Sequence, residues 1–199
     1  MTTEEKQRQL AAEESWRSLF DRFVRTRPGA DTMMSWLEST DFFVAPASTR
    51  FHGDYPGGLA AHSVAVTEAL VDLIGAFDDD TDGISIQSAV LVALLHDACK
   101  ADYYHETTRR AKDAEGKWQD VRAYSVRQDR LPLGHGEKSL YIIRSCMDLT
   151  DEEACAIRWH MGAYCDQQQY SEMGVAMDRY PLALLLHEAD MIATHMWGK

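Results

Sequence analysis

The chain has 199 residues, of which 45% are hydrophobic and 26% are charged, and it carries a formal net charge of -12. This composition is typical of one globular domain with a substantial core. The negative charge argues against a protein that coats long nucleic acid, because neutralising many phosphates requires a basic surface. It does not exclude a small anionic substrate, since bound metal ions supply strong local positive charge.

The cysteines and the N-terminal residues bear on the compartment. The four cysteines form no C-x-x-C pair and match no common zinc motif, so we expect reduced thiols. The first residues are too charged for a signal peptide, and we find no apolar run of membrane-spanning length. We therefore expect a soluble, cytoplasmic protein that does not interact with membranes.

Two helices and a loop are predicted before residue 58. The first helix covers residues 3–26 and is amphipathic; its apolar face consists of Leu10, Trp16, Leu19, Phe20, Phe23 and Val24. Asp31 is expected to cap a short second helix that carries Met33, Met34, Trp36 and Leu37. Residues 41–58 mix aromatic, hydroxyl, proline and glycine residues, which predicts a long loop that either lines a pocket or covers the surface.

Gly58 opens a helix that we expect to reach about Ala76. His62 lies on its apolar face with Val66 and Leu73, so it points inward. Taken alone, an inward histidine is either a hydrogen-bonded core residue or a ligand. The acidic run at 78–82 lacks the spacing of a calcium-binding EF-hand and predicts a solvated linker.

The next apolar helix starts near Ser85 and ends in the segment Leu-Leu-His-Asp-Ala-Cys-Lys at 94–100. If the helix continues through this segment, His96, Asp97 and Lys100 lie on neighbouring positions. An imidazole and a carboxylate from one turn can hold a cation, and the lysine can face an anion bound to it. The alternative for this motif alone is a buried, hydrogen-bonded His-Asp pair at a helix end.

A polar segment follows, and residues 109–124 predict a β-hairpin around Gly116. Between residues 109 and 130, seven basic residues stand against four acidic ones, a local charge of +3. Such a hairpin either guides an anionic substrate toward the site or is a solvated, salt-bridged element.

Three more candidate ligands follow the hairpin. His135 lies between two glycines ahead of a helix, and glycine lets the backbone approach a ligand or metal closely. A capping box at Thr150–Glu153 starts a helix that ends near His160. Pro181 fits the first turn of a final helix, where Asp190 has strongly apolar neighbours and requires a compensating charge or hydrogen bonds.

Five segments therefore each present an inward or glycine-flanked ligand type. The six side chains are His62, His96, Asp97, His135, His160 and Asp190. They exceed what one tetrahedral zinc needs and suit two six-coordinate transition metal ions bridged by a carboxylate.

The order H…HD…H…H…D, with Lys100 after the His96-Asp97 pair, resembles the HD-domain superfamily of metal-dependent phosphohydrolases. The Gly-Gly-Leu-x-x-His segment that ends at His62 is similar to the entry to the first ligand in several branches of that superfamily. The resemblance runs from about residue 51 to 195. It implies an all-α fold, an HD-domain helical bundle with a small β-hairpin insertion. Residues 1–50 would pack as N-terminal helices on an HD domain of residues 51–199, in one compact domain overall.

The resemblance also implies roles for individual residues. The first metal would take His62, His96, Asp97 and Asp190, and the second would take His135 and His160, with Asp97 as the bridge. Some two-metal branches carry a His-His pair where this chain has His160-Met161, which predicts a weaker second site. Catalysis would depend on Asp97 and on Lys100, which contacts the phosphate. Further substrate contacts are expected from Arg109, Glu137 and Lys138.

The function implied is hydrolysis of a phosphomonoester or phosphodiester of a nucleotide, or of another small phosphorylated metabolite, through a metal-activated hydroxide. One or two divalent ions per chain are expected: Mn, Fe, Co, Ni or Zn, with Mg possible. Other classes remain open. They are a mixed-valent di-iron oxygenase of the HD type, similar to myo-inositol oxygenase; a 3'-to-5' exoribonuclease; and a non-catalytic module.

Overall fold

The computed structural model describes residues 1–77, 83–129 and 131–197. Within these ranges the protein is mainly helical, with one two-stranded antiparallel sheet. The helices are α1 (Thr3–Phe23), α2 (Ala30–Glu38), α3 (Gly58–Ala76), α4 (Ile86–Leu95), α5 (His135–Cys146), α6 (Asp151–Trp159), α7 (Tyr170–Arg179) and α8 (Pro181–Ile192), and the strands are β1 (Tyr104–Lys112) and β2 (Trp118–Val126). The predicted helical fold with a small β-hairpin is confirmed. The acidic run at 78–82 and Arg130 lie outside the described residues.

The first helix, α1, packs its aromatic face into the core. Thr2 and Glu5 form a capping box that satisfies free backbone N–H groups at its start. Trp16 and Phe20 are fully buried, and their rings stack with centroids 5.1 Å apart. The Trp16 indole N–H also donates to the carbonyl oxygen of Leu94 at 3.3 Å. This bond joins α1 to the last turn of α4.

Two details of α1 differ from the prediction. The helix ends at Phe23 rather than at residue 26. Leu10 is 52% exposed, although the apolar pattern placed it on the core face. The reason is that the buried position in this turn belongs to Gln9, whose side chain packs against Gly57. A polar residue therefore takes the place that hydrophobicity assigned to its neighbour.

The start of α2 also differs. The sequence favours Asp31 as its N-cap, but Gly29 holds that position with a φ of 84°. A Cβ at residue 29 would overlap the carbonyl oxygen of Cys146, so the turn packs too closely on α5 for any other residue. Nearby, Arg27 pairs with the fully buried carboxylate of Glu153 at 2.7 Å. The segment between α1 and α2 is thus joined to both α5 and α6.

Helix α4 lies at the centre of the fold, and its residues from Ser88 to Leu95 are all buried. The Ser85 side chain caps it by accepting the backbone N–H of Ser88, and the predicted start near Ser85 is confirmed. Helix α3 packs against α1, α4 and α8, and α6 packs against α8. The helices of the core therefore bring several of their ends to one side of α4.

Helix α3 is the one helix among the described residues that is long and apolar enough to cross a membrane by length and composition alone. The sequence-based expectation that no such run exists is wrong in this respect. Its apolar side chains are accounted for by packing, since Leu59, Val66 and Leu70 are fully buried in the core. The described residues form a globular protein, with α3 as a core helix.

The β-hairpin is longer than its predicted extent, with Arg109 opposite Val121 in the register. Its turn is fixed by the Asp113 carboxylate, which accepts backbone N–H bonds from Glu115 and Lys117. Gly116 supplies the positive φ of 78° that this turn requires. Most of the hairpin side chains are exposed or only partly buried.

Several basic side chains of the hairpin are paired. Arg122 contacts Glu5 of α1 at 2.6 Å and Glu106 on the neighbouring strand at 3.2 Å. Arg110 lies 3.4 Å from Asp120 across the strands. These pairs correspond to the salt-bridged interpretation of the hairpin.

Candidate metal centre

Five helices deliver the six predicted ligand residues to one buried cluster. His62 lies in the second turn of α3, and Asp190 lies in the last turns of α8. His135 is the first residue of α5, and His160 follows the last residue of α6. The remaining two, His96 and Asp97, directly follow α4. The six side chains therefore meet where the helices begin or end.

The segment after α4 has a different backbone from the one expected. The expected closeness of His96, Asp97 and Lys100 assumes that the helix continues through this segment, but α4 ends at Leu95 and a 3-10 turn covers Ala98–Lys100. Lys100 still lies three positions after Asp97, and the Lys100 Nζ lies 2.7 Å from Asp97 Oδ2. The predicted neighbourhood of these side chains is therefore present, although an α-helix does not create it.

Three overlapping groups of these residues could hold a metal ion, and the ligand atoms of each group lie within 4.8 Å of one another. The groups are His62, His96 and Asp97; His96, His160 and Asp190; and Asp97, His135 and His160. All but His135 are buried. Because the groups share members, the six residues form one continuous centre rather than separate sites.

The two carboxylate oxygens of Asp97 face different histidines. Oδ2 lies 3.4 Å from His96 Nε2 and 3.7 Å from His62 Nε2. Oδ1 lies 2.7 Å from His135 Nε2 and 3.7 Å from His160 Nε2. One oxygen of Asp97 thus faces His62 and His96, and the other faces His135 and His160.

Backbone carbonyl groups fix the tautomers of two of the histidines. His96 Nδ1 lies 2.8 Å from Ala93 O, and His160 Nδ1 lies 2.7 Å from Ile157 O. A carbonyl oxygen can only accept, so each Nδ1 carries a proton and each Nε2 is turned toward the centre. This support through the other ring nitrogen is typical of metal-binding histidines.

The Nε2 atoms of His62, His96 and His160 are buried and have no hydrogen-bond partner within the described part of the chain. Carboxylate oxygens lie nearby, as at the 3.1 Å between His62 Nε2 and Asp190 Oδ1, but without hydrogen-bonding geometry. Buried polar atoms are almost always paired, so three converging unpaired nitrogens call for an explanation. Metal ions bound among them would satisfy these nitrogens, and the donor set fits a transition metal.

The protonation states also suit cation binding. Burial lowers the pKa of both His62 and His160, which keeps these imidazoles neutral. Burial alone would raise the pKa of Asp97, but the positive charges of Lys100 and His96 outweigh it and hold that pKa well below its usual range. The centre thus offers two neutral imidazoles, His62 and His160, beside an ionised carboxylate.

His135 differs from the other ligands. Burial would lower its pKa, but Cys99 and Asp97 outweigh burial and raise the pKa of His135 to about 10. Without a metal this imidazole is protonated at neutral pH, so a cation that binds it displaces a proton. The pKa of Asp190 is lowered despite burial by the neighbouring His62.

His187 supports one of the ligands. Its Nδ1 donates to the carbonyl oxygen of His160 at 2.7 Å. Its ring fills the space beside Gly162, whose φ is 54° and where a Cβ would overlap the imidazole. On the other side, the Thr194 hydroxyl donates to Asp190 Oδ1 at 3.3 Å from a π-helical turn after α8. Residues outside the six ligands, His187 and Thr194, thus help to hold two of the ligands in place.

The glycines beside His135 are expected to let the backbone approach a ligand or metal, but in the structure they make close contacts within the protein. A Cβ at Gly136 would overlap the carbonyl oxygen of Arg158 in α6. At Gly134 it would overlap the carboxylate of Glu137 in the first turn of α5. The glycines therefore allow the start of α5 to pack tightly against α6, which sets the position of His135.

A cavity of about 590 Å³ opens onto the centre. Its lining residues are Phe51, His52, Asp97, Lys100, His135, Met161, Tyr164, Asp190, Met191, Thr194 and His195. Phe51 and His52 come from the loop at 41–57, so this loop lines a pocket. A volume of this size is typical of a small-molecule site.

His52 is a site residue that the sequence analysis left without a role. Its ring centroid lies 4.6 Å from that of His62, and neither ring nitrogen has a partner among the described residues. Burial, and then the proximity of His62 and Lys100, lower the pKa of His52 to about 4, so the imidazole is neutral at physiological pH. His52 belongs to no ligand motif. The one sequence signal for its role is that it lies shortly before the Gly-Gly segment at the start of α3.

The structure brings one of the predicted substrate-binding residues, Lys100, into this cavity. Glu137 pairs with Arg158 at 2.6 Å and lines a neighbouring cavity of about 540 Å³ that shares His135 with the first. The other two residues, Arg109 and Lys138, do not line either cavity. Arg109 is exposed in the middle of β1, and Lys138 pairs with Asp129 at 2.7 Å.

Comparisons of the chain with protein-family models, with curated proteins and with solved structures found no match. The site is therefore defined by its own geometry, as a buried His/Asp cluster that could hold a metal ion.

Proposed function

We propose that the protein is a metal-dependent phosphohydrolase of the HD-domain type, acting on a nucleotide or another small phosphorylated metabolite. The observation that carries this proposal is the position of Asp97, which belongs to two ligand groups and also pairs with Lys100. A bridging carboxylate beside a buried ammonium group suits the binding of a phosphate, which needs cations on more than one side.

The metal ions would be held by His62, His96, Asp97 and Asp190 in one site and by Asp97, His135 and His160 in the other. Imidazole and carboxylate ligands suit Mn, Fe, Co, Ni or Zn, with Mg possible. When bound, such ions polarise a phosphoryl oxygen and lower the pKa of water so that it can attack phosphorus.

The protein groups around the ligands have their own tasks in this proposal. Lys100 lines the cavity, and its side chain is only 12% exposed, so its charge acts in a medium of low dielectric constant. There it would bind a phosphoryl oxygen and stabilise the negative charge that develops during transfer. The free cysteines support a reducing compartment, and we propose that the protein is cytoplasmic.

The test combines elemental analysis with an activity panel. Protein purified without added metal is analysed for bound metals, stripped, reloaded with each ion, and assayed with phosphomonoesters, phosphodiesters and short RNA. We expect two ions per chain and phosphate release from small esters. His160→Ala should lower both metal content and activity, whereas His105→Ala, an exposed histidine on β1, serves as the matched control.

The possible outcomes separate the classes of function. Two irons with oxygen consumption and no phosphate release would replace the proposal with the di-iron oxygenase. Shortening of RNA from its 3' end in preference to small esters would favour the exoribonuclease. Failure to bind any metal under all loading conditions would contradict every metal-dependent function.

A further inference from the structure

The cavity over the metal centre has two chemically different parts. Its floor carries the charged and ligand side chains, whereas its outer part carries Phe51, Met161, Tyr164 and Met191. The two aromatic rings are unusually exposed: Phe51 is 81% and Tyr164 is 77% accessible to solvent. Exposed apolar side chains that lie together beside a polar site indicate a surface where a ligand binds.

Phe51 is held in this exposed position by its own loop. The Ser48 hydroxyl accepts the backbone N–H of Phe51 at 2.9 Å and donates to the carbonyl oxygen of His52 at 2.8 Å. The backbone N–H of Ala47 donates to Gly53 O at 2.9 Å, which closes the loop. These bonds fix the backbone on both sides of residue 51, at the point where Phe51 lines the cavity.

Gly53 and Gly58 fasten the same loop to the start of α3. Gly53 has a φ of 63°, which is favourable for glycine. A Cβ at Gly58 would overlap the carbonyl oxygen of Gly53, so the two backbones are in direct contact. The loop that carries Phe51 is therefore anchored on the helix that carries His62.

Tyr164 approaches the cavity from a separate segment, the turn after α6. Its backbone N–H donates to the carbonyl oxygen of Met161 at 3.2 Å. The hydroxyl of Tyr170, at the start of α7, donates to Ala163 O at 3.3 Å and ties the turn down. Aromatic side chains from two independent segments thus border the same cavity, with Lys100 on its floor.

We propose that Phe51 and Tyr164 select the organic part of the substrate by stacking on a planar aromatic group attached to the phosphate. This inference rests on the proposed function, because it assumes that the phosphate lies on the floor of the cavity. A nucleobase has the planar π-face that such rings bind, and stacking on aromatic side chains tolerates different bases. Sugar phosphates without a base lack this planar π-face.

The test compares two phosphate esters that differ only in the aromatic group. Adenosine 5'-monophosphate and ribose 5-phosphate are each titrated into the metal-loaded protein by calorimetry, and their hydrolysis is measured separately. We expect the wild-type protein to bind the nucleotide at least about tenfold more tightly, since stacking on one aromatic ring gives that order of preference. Phe51→Ala and Tyr164→Ala should each reduce this binding preference about tenfold, without loss of metal.

Tyr141→Ala is the matched control, because Tyr141 is 60% exposed on α5 but does not line the cavity. It should leave the preference unchanged. Equal binding of the two esters by the wild-type protein would overturn the inference, as would unchanged preference in both cavity variants. If the nucleotide binds preferentially but neither ester is hydrolysed, the aromatic selection stands and the proposed hydrolase function fails for these substrates.

Discussion

Replacing Asp97 with asparagine tests the central feature of the site, since it keeps the volume of the side chain and removes its charge. Asp97 and Lys100 lie 2.7 Å apart with side-chain exposures of only 3% and 12%. Removing one partner of a buried ion pair costs about 3–5 kcal/mol. The amide oxygen can still accept a hydrogen bond from Lys100, so we expect a loss of about 3 kcal/mol in the metal-free protein.

The effect on metal binding should be larger than the effect on folding. Asp97 belongs to two of the three ligand groups, so Asp97→Asn should abolish binding at both sites. In the wild-type protein, each site should add about 2.7 kcal/mol of stability at a free metal concentration 100 times its dissociation constant. The variant should gain none of this stabilisation.

The assay is denaturant unfolding followed by circular dichroism, with and without metal, together with elemental analysis of the dialysed protein. Asp178→Asn, an exposed change on α7, is the matched control and should behave as the wild-type protein. If Asp97→Asn keeps two ions per chain, or if metal stabilises it as much as the wild-type protein, the bridging assignment is refuted.

Three further predictions concern separate parts of the molecule. Lys100→Met should retain metal by elemental analysis but lower the rate of phosphate release about 100-fold, because a cation facing the phosphate is lost. The pKa of Glu153 is lowered despite burial, chiefly by Arg27, so its stabilisation is complete above the unfolded value of 4.5 and is lost as pH falls through the folded pKa. Glu153→Gln should therefore be less stable at pH 7 and should lose less stability on acidification, as measured by denaturant unfolding. Gly136→Ala should cost about 1–3 kcal/mol in thermal unfolding and weaken metal binding at His135, because the new Cβ pushes α5 away from α6.

The ligand-bearing helices could be predicted because their signals are local. The bounds of α3 agree with the prediction from Gly58 to about Ala76, and the capping box at Thr150 and the proline at 181 mark the starts of α6 and α8. The inward direction of His62 follows from helical periodicity alone. Such features depend on neighbours in sequence, so no knowledge of the tertiary fold was required.

The features that sequence did not predict depend on contacts between distant segments. Gly29 replaces Asp31 as the cap of α2 because the chain there packs against the end of α5. Helix α7 was not anticipated, and Ala176 is its one buried residue. The role of His52 depends on the position of His62, which only the folded loop defines.

Residues 1–50 contain none of the six ligands, yet the fold makes the centre depend on them. The Trp16 hydrogen bond stabilises the final turn of α4 directly before His96 and Asp97, and Arg27 neutralises a carboxylate inside the helix that ends at His160. A fragment beginning at residue 51 would leave Glu153 buried without its cation and the Leu94 carbonyl without its donor. We therefore expect that the smallest autonomous piece able to hold metal includes these helices, and that insertions which tilt α1 alter metal affinity from a distance.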